Sequence, residues 1–313
     1  MIIVSNLVVL ERKTISNTLN VKLVNPMFSI ITGNCQEVLA TYGENFFHSC
    51  ITDPPYGMDI AGETWDHSVP TVEMWQAVYR TLRPGAFVLS FCSPELYHRM
   101  AVNVEDAGFT IKDQIMWMTT TKMPKHNRLK PAHEPIVVAQ KPYKGSLQNN
   151  FEEWGCGLID VENTRVPWDK EPPKGWVACG AKRRTFGKEG NTKGSAAEYG
   201  TKDANPAGRY PSNIIGEVLP EHQKYFYAPR ATRKEKGEEN NHPTVKPVSL
   251  MEYLVKIYSP IGGTVLDPFC GSGTTGVGCI KNDRSFVGID LSEDYTTIAR
   301  KRCDDVNVGK LPL

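Results

Sequence analysis

A glycine-rich turn placed near the end of the chain is the strongest constraint on its fold. The run GTVLD, ending at Asp267, reads as a buried strand and leads into PFCGSGTTG. There Gly271, Gly273 and Gly276 match G-x-G-x-x-G after a strand and at the mouth of a helix. Glycines so spaced let backbone N–H groups and a helix N-terminus approach a ligand closely. A nucleotide-binding sheet that began here would need several more strand–helix units, yet only 37 residues follow Gly276. The remaining strands must therefore come from the N-terminal part, which makes the chain an α/β protein with a circularly permuted sheet.

The N-terminal part supplies them. FSIITGN, FFHSCITD and AFVLSFC are short apolar runs ending in polar or turn residues, as buried parallel strands do. Val72, Trp75, Val78, Tyr79 and Leu82 have helical spacing, closed by Pro84-Gly85, and Pro94 to Ala107 reads as a second amphipathic helix. IKDQIMWMT and EPIVVAQ, separated by a lysine- and proline-bearing connection, favour an antiparallel pair. From Tyr143 to Asn241 the texture changes to Gly, Pro, Lys and Asn with short apolar pieces such as GLIDV and SNIIG, which reads as an insert with its own small fold. Regular patterning resumes with a helix from Pro247 to Tyr258, the GTVLD strand, a helix from Gly273 to Asn282, the SFVGIDL strand and a helix from Glu293 to Arg302. The expected organisation is an N-terminal extension over 1–26, one half of the α/β domain over 27–142, the insert over 143–241 and the other half over 242–313.

Composition narrows the class. The net charge of +1 hides an asymmetry: Lys112 to Lys236 holds 22 Lys and Arg against 14 Asp and Glu, and the remainder 14 against 21. A basic middle is what a nucleic-acid-facing segment needs, although a solvated lysine-rich region has the same composition. Eight cysteines with no Cys-x-x-Cys pair suggest neither a zinc site nor a disulfide framework, so no metal is expected and the thiols read as reduced. The apolar opening MIIVSNLVVL has no preceding positive region and is interrupted by Ser5 and Asn6, so it is not read as a leader. No run approaches the ~18 apolar residues of a membrane span, and the expected location is the cytoplasm.

Two motifs carry chemistry. About 20 residues beyond Gly271, Asp290 ends the SFVGID strand, well placed for a carboxylate to grip the two ribose hydroxyls of an adenosine. NAD is one such ligand, but Asp267 at the strand end would repel a pyrophosphate and welcome a cationic amino group. A glycine-rich turn beside an incidental acid is the bland alternative. The second motif, Asp53-Pro54-Pro55-Tyr56, follows FFHSCIT directly. An amino group on an aromatic base is a poor nucleophile because its lone pair is delocalised into the ring. Accepting both of its hydrogens, at the Asp53 carboxylate and the Pro54 carbonyl, would localise that lone pair. Two consecutive prolines fix φ and remove N–H donors, and Tyr56 offers a flat face for stacking a base. A strand-terminating Pro-Pro turn with a solvent-facing tyrosine is the alternative.

ITDPPYG together with VLDPFCGSGTTG resembles the bacterial and phage amino-DNA methyltransferases of the β arrangement, in which the catalytic motif comes first, the recognition region second and the cofactor motif last. The resemblance runs from about Phe28 to Arg302 and includes GETWDHSVPTVEMWQAVYRTLRPGAF, LYHRMAVNVEDAGFTIKDQIMW, PAHEPIVVAQKP and HPTVKPVSLMEYLV. It implies a Rossmann-like S-adenosyl-L-methionine-dependent methyltransferase fold, with a mostly parallel seven-stranded sheet, an antiparallel hairpin and an inserted target-recognition region. By that resemblance Asp53 and Pro54 accept from the target amine and Tyr56 stacks on the base. Asp267, Phe269, Gly271, Gly273, Thr274 and Thr275 match the cofactor loop, Asp290 the ribose-binding acid, and Lys246 a position beside the methionine carboxylate. Where the family usually has Gly-Asp this chain has Gly33-Asn34, and the Asn34 side-chain oxygen is expected to accept from the cofactor adenine. The implied partner is DNA, with a second copy of the chain a further one because many relatives dimerise.

The expected reaction is direct transfer to an exocyclic amine of a flipped base. N4-cytosine enzymes of this family more often carry Ser at the place of Asp53, so the acid favours N6 of adenine, with N4 of cytosine the alternative. A C5-cytosine enzyme would need a nucleophilic cysteine, and Cys92 and Cys270 read as packing residues. In the insert, Lys182, Arg183 and Arg184 form the densest basic patch and are the expected DNA contacts, with Trp168, Trp176 and Phe186 as stacking or core residues. The loop from Gly57 to Asp66 is expected to close over the flipped base, with its Trp65 either a hinge-packing residue or a contact. A nucleotide-dependent oxidoreductase leaves D-P-P-Y unexplained, and a non-catalytic DNA-binding relative would not need Asp53, Tyr56 and Asp267 intact.

Overall fold

The apolar runs of the sequence assemble into one sheet, with Asp53 and Asp267 at the carboxyl ends of neighbouring strands. The computed structural model describes residues 28–57, 66–119, 131–168, 170–172, 176–177, 201–216 and 245–307. In chain order the elements begin with β1 (Phe28–Thr32), α1 (Cys35–Ala40), β2 (Phe47–Thr52), α2 (Val72–Thr81), β3 (Leu82–Phe91) and α3 (Tyr97–Asp106). β4 (Thr110–Met118), β5 (His133–Gln140) and α4 (Leu147–Trp154) follow, then the short strands β6 (Trp176–Val177), β7 (Thr201–Lys202) and β8 (Ile214–Gly216). The chain closes with α5 (Val248–Tyr258), β9 (Thr264–Asp267), α6 (Thr274–Ile280), β10 (Ser285–Asp290) and α7 (Glu293–Asn307).

The sheet order is β1-β10-β9-β2-β3-β5-β4-β8, so the last two long strands sit between the first two and the permutation is realised. All pairings are parallel except those of β5, which runs antiparallel to both β3 and β4. Among the described residues the sheet has eight strands rather than seven. The extra one is β8, three residues of the SNIIG segment of the insert, laid parallel on the outer edge of β4. Its length is too short for any period to announce it. β6 and β7 form a separate antiparallel pair.

Two cores cover the two faces. Adjacent strand residues point to opposite sides: Ile51 and Leu89 pack with α5, α6 and α7, and Cys50 and Val88 with α1, α2 and α3. Burial on both faces explains why β2 and β3 read as continuous apolar runs. Tight packing of α6 requires glycine, because a Cβ at Gly276 would lie 2.7 Å from the Phe286 ring and 2.8 Å from Cys303 Sγ. At Gly273, φ is +78° and a Cβ would approach that of Ala299 to 2.8 Å.

The connections diverge between β9 and β2: β9 leads through α6 to β10 on one side, and β2 leads through α2 to β3 on the other. In an open α/β sheet the crevice beyond the strand ends at such a switch point is where ligands bind. Asp267 ends β9 and Asp53 follows β2, so both chemical motifs open onto it. Among the described residues no helix is long and apolar enough to cross a membrane.

Candidate active site

The D-P-P-Y segment is fixed by its own neighbours. Asp53 follows the last residue of β2, Pro54 is buried, and the N–H groups of Tyr56 and Gly57 both donate to Oδ1 of Asp66, at 2.7 and 2.8 Å. Asp66 is itself buried. The Tyr56 hydroxyl donates to Asp53 Oδ1 at 2.6 Å and reaches Glu134 Oε2, on β5, at 3.3 Å. Lys246, just ahead of Pro247 at the start of α5, extends a buried side chain whose ammonium pairs closely with Asp53 Oδ2 and lies 3.7 Å from Glu134 Oε2. The same Nζ is 5.5 Å from the centre of the Tyr56 ring and 5.1 Å from that of Phe91.

Two carboxylates thus face one ammonium in a water-poor pocket. Burial raises the Asp53 pKa against the pull of Lys246. Burial also works to deprotonate Lys246, but Asp53 and Glu134 outweigh it and the ammonium is held above its ordinary range. Burial, with Asp53 and Glu134 close by, pushes the Tyr56 phenol far up, so it stays a donor. The cluster can receive a neutral donor group at Asp53, and its surplus negative charge favours a cation nearby.

The glycine turn lies alongside. Asp267 is 2% exposed and both its oxygens are engaged. Oδ1 accepts from Thr52 Oγ1 at 2.7 Å and from the Phe269 N–H at 3.1 Å, and Oδ2 from Thr275 Oγ1 at 2.7 Å. Asp290 is half-buried, with Oδ2 accepting from the Gly271 N–H and Oδ1 from the Ser292 N–H, each at 2.9 Å. Gly271 and Gly273 hold positive φ, and the buried Arg302 donates to the Ser272 carbonyl and to Thr274 Oγ1, which fixes the turn from α7. At the end of β1, Asn34 is exposed and caps α1, its Oδ1 accepting from the N–H of Gln36 and of Glu37. The Gly33 N–H donates to the Asp290 carbonyl, so Asn34, Asp290 and Gly271 share one stretch of the sheet edge.

The DNA methylase family, the N6 and N4 type, matches over residues 47–301. The chain belongs to this family. The methylase is 24% identical over 283 residues to the type II methyltransferase M.HpaI of Haemophilus parainfluenzae, which spans 88% of this chain and 74% of that one. Its fold matches the M1.HpyAVI–SAM complex with a TM-score of 0.50 at 20% identity, covering 88% of this chain and 99% of the other. PvuII DNA methyltransferase, which is cytosine-N4-specific, matches with a TM-score of 0.56 at 14% identity, covering 88% and 86%.

Four residues outside D-P-P-Y and the glycine turn bond to the candidate ones: Thr52, Asp66, Glu134 and Arg302. Each is a single polar residue with no motif of its own, and it announces itself only by what it meets in space. Both cysteines weighed as nucleophiles are buried thiols. Burial lifts Cys92 to about 12 and Cys270 well beyond its ordinary value, so neither is a thiolate near neutral pH. In the insert, the Trp168 indole N–H donates to the Asn205 carbonyl at 2.8 Å and the Arg209 guanidinium lies 5.4 Å from its ring centre, which seats Trp168 within the insert. Lys182, Arg183, Arg184, Phe186, Trp65 and the Trp176 side chain lie outside the described residues, as do 1–27 and most of the loop after Gly57.

Proposed function

We propose that this methylase transfers a methyl group from S-adenosyl-L-methionine to N6 of adenine in DNA, on a base turned out of the duplex. The observation that carries the reading is the juxtaposition of Asp53 with the glycine turn across the switch-point crevice, bridged by the Thr52–Asp267 hydrogen bond. The residues present fit the cofactor. Asp53, Glu134, Asp267 and Asp290 line this edge with Lys246 as their counter-charge, an arrangement hostile to a pyrophosphate and suited to a sulfonium and an ammonium group. Gly271 and Gly273 with Asp290 would hold the ribose side. Asp267, whose Oδ2 keeps an acceptor position beyond Thr275, and Phe269 would hold the methionine side, and Asn34 and the strongly exposed Leu291 would flank the adenine. When bound, S-adenosyl-L-methionine supplies an electrophilic methyl on a sulfonium.

The chain's own residues supply the rest. Asp53 Oδ2 and the Pro54 carbonyl accept the two hydrogens of the target amine and localise its lone pair, while the Tyr56 ring, tethered through its hydroxyl, stacks on the base. The proton released from the methylated nitrogen passes to the Asp53 carboxylate, whose raised pKa suits it to the task. An exocyclic amine inside a duplex is out of reach of a recessed carboxylate, which supports extrusion of the base. Asp53, where serine more often stands in cytosine-N4 enzymes, supports adenine. The basic insert, with Lys182, Arg183 and Arg184, would contact DNA, and the loop after Gly57 would cover the flipped base.

Nucleoside mass spectrometry of unmethylated DNA incubated with the protein and labelled S-adenosyl-L-methionine tests this. N6-methyldeoxyadenosine is the expected product. N4-methyldeoxycytidine would move the target to cytosine, and no incorporation would refute the reading.

A further inference from the structure

In the structure, both oxygens of the carboxylate that the target amine needs already hold a donor. Asp53 Oδ1 holds the Tyr56 hydroxyl and Oδ2 holds the Lys246 ammonium, so an incoming amine meets a carboxylate whose charge is neutralised at contact range. The ammonium is a stronger donor than an aromatic amine and will not yield its place for nothing. A second carboxylate stands within reach, since Glu134 Oε2 is 3.7 Å from the same Nζ, near enough that a small rotation of the lysine side chain closes the distance.

We propose that Glu134 is a positioning residue for methyl transfer: it is the alternative seat of the Lys246 ammonium, taking it over as the target amine reaches Asp53. This rests on the amine-methylation reading above. Three features make the exchange feasible. Nζ stays paired with one carboxylate or the other throughout, so the ammonium is never stranded. The Tyr56 hydroxyl spans Asp53 and Glu134 and can follow the charge from one to the other. Lys246 sits at the entrance to α5, ahead of the Pro247 cap, so its side chain moves without disturbing the helix. Among the described residues the titratable groups facing this cluster are Asp53, Tyr56, Glu134, Cys92, Asp66 and Asp267, and of these Glu134 and Asp53 approach Nζ as carboxylates.

The test measures the saturated methyl-transfer rate on unmethylated DNA across pH, with cofactor affinity by calorimetry. Glu134→Gln should lower the rate about tenfold or more near neutral pH, because Lys246 remains on Asp53. Its rate should then climb at alkaline pH, where the lysine loses its proton and releases Asp53, over a range in which the wild type is flat. Glu134→Asp should restore most of the loss, and cofactor affinity should stay within about twofold in both variants. A Glu134→Gln enzyme with wild-type rate, or one that is slow with an unshifted pH profile, overturns the proposal while leaving the methylase reading intact. A wild type that methylates no DNA overturns both.

Discussion

The Thr52 hydroxyl donates a 2.7 Å hydrogen bond to Oδ1 of Asp267, joining residues 215 positions apart in sequence across the pair β2–β9. It is buried, and it ties the strand that delivers Asp53 to the strand that delivers the glycine turn. Thr52→Val keeps the shape and removes the donor. The carboxylate would lose one of its partners in a dry place, and the expected cost is about 1–3 kcal/mol in chemical denaturation. Thr52→Ser, which retains the hydroxyl, should stay within about 1 kcal/mol of wild type. Equal midpoints for Thr52→Val and wild type would show that the bond contributes nothing.

Asp267 carries a pH signature. Burial lifts its pKa to about 7, against the opposing hydrogen bonds from Thr275, Thr52 and Phe269. An unfolded aspartate titrates near ~3.9, so folding takes up a proton between those values. The folded state binds more protons than the unfolded one there, and its stability falls as pH rises from about 4 towards 7. Asp267→Asn removes this titration. Its stability relative to wild type should therefore improve between about pH 5 and about pH 8, read from denaturation midpoints. A difference that does not change with pH would mean the Asp267 carboxylate titrates normally.

The sheet was largely readable from the chain because central parallel strands are covered on both faces and so appear as unbroken apolar runs. β2, β3, β9 and β10 are of that kind, and the antiparallel placement of β5 against β4 agrees with the lysine- and proline-bearing connection between them, which carries no crossover helix pattern. Shorter pieces escaped. α1 spans six residues and its clearest signal, the cap Asn34, carries a side chain equally suited to a ligand. α4, hidden in a polar stretch, shows itself only through the Ser146 cap and the left-handed Gly155. α7 runs on to Asn307, five residues past the last one its pattern suggested. The site divides the same way. Asp53, Tyr56 and Asp267 stand in contiguous motifs, whereas the contacts of Lys246 with Asp53 and Glu134 join three distant segments, and no spacing within the chain encodes them.

Asp66 holds the D-P-P-Y turn through the N–H groups of Tyr56 and Gly57. Asp66→Ala leaves both donors without that acceptor and lets the Tyr56 ring drift. A small misplacement of a positioning group is costly to rate, so methyl transfer should fall about tenfold or more while cofactor affinity changes by less than about twofold. Asp66→Asn, whose side-chain oxygen still accepts, should recover most of the activity. Calorimetry and methyl incorporation on the same preparations separate these outcomes, and an unimpaired Asp66→Ala enzyme would show that the turn holds itself.

Asp53 offers the sharpest division between binding and chemistry. Among the described residues its hydrogen-bond and ion-pair partners are Tyr56 and Lys246, and the bonds that hold Asp290 to Gly271 do not pass through it, so its removal should leave those bonds in place. In Asp53→Ala the Lys246 ammonium falls to Glu134, which already lies 3.7 Å away, and the pocket keeps a paired charge. What disappears is the acceptor that localises the amine lone pair and takes its proton. Transfer should drop about 10²-fold or more, with cofactor binding by calorimetry within about twofold of wild type. Turnover retained in Asp53→Ala would remove the carboxylate from the mechanism and leave the Pro54 carbonyl as the sole acceptor for the amine.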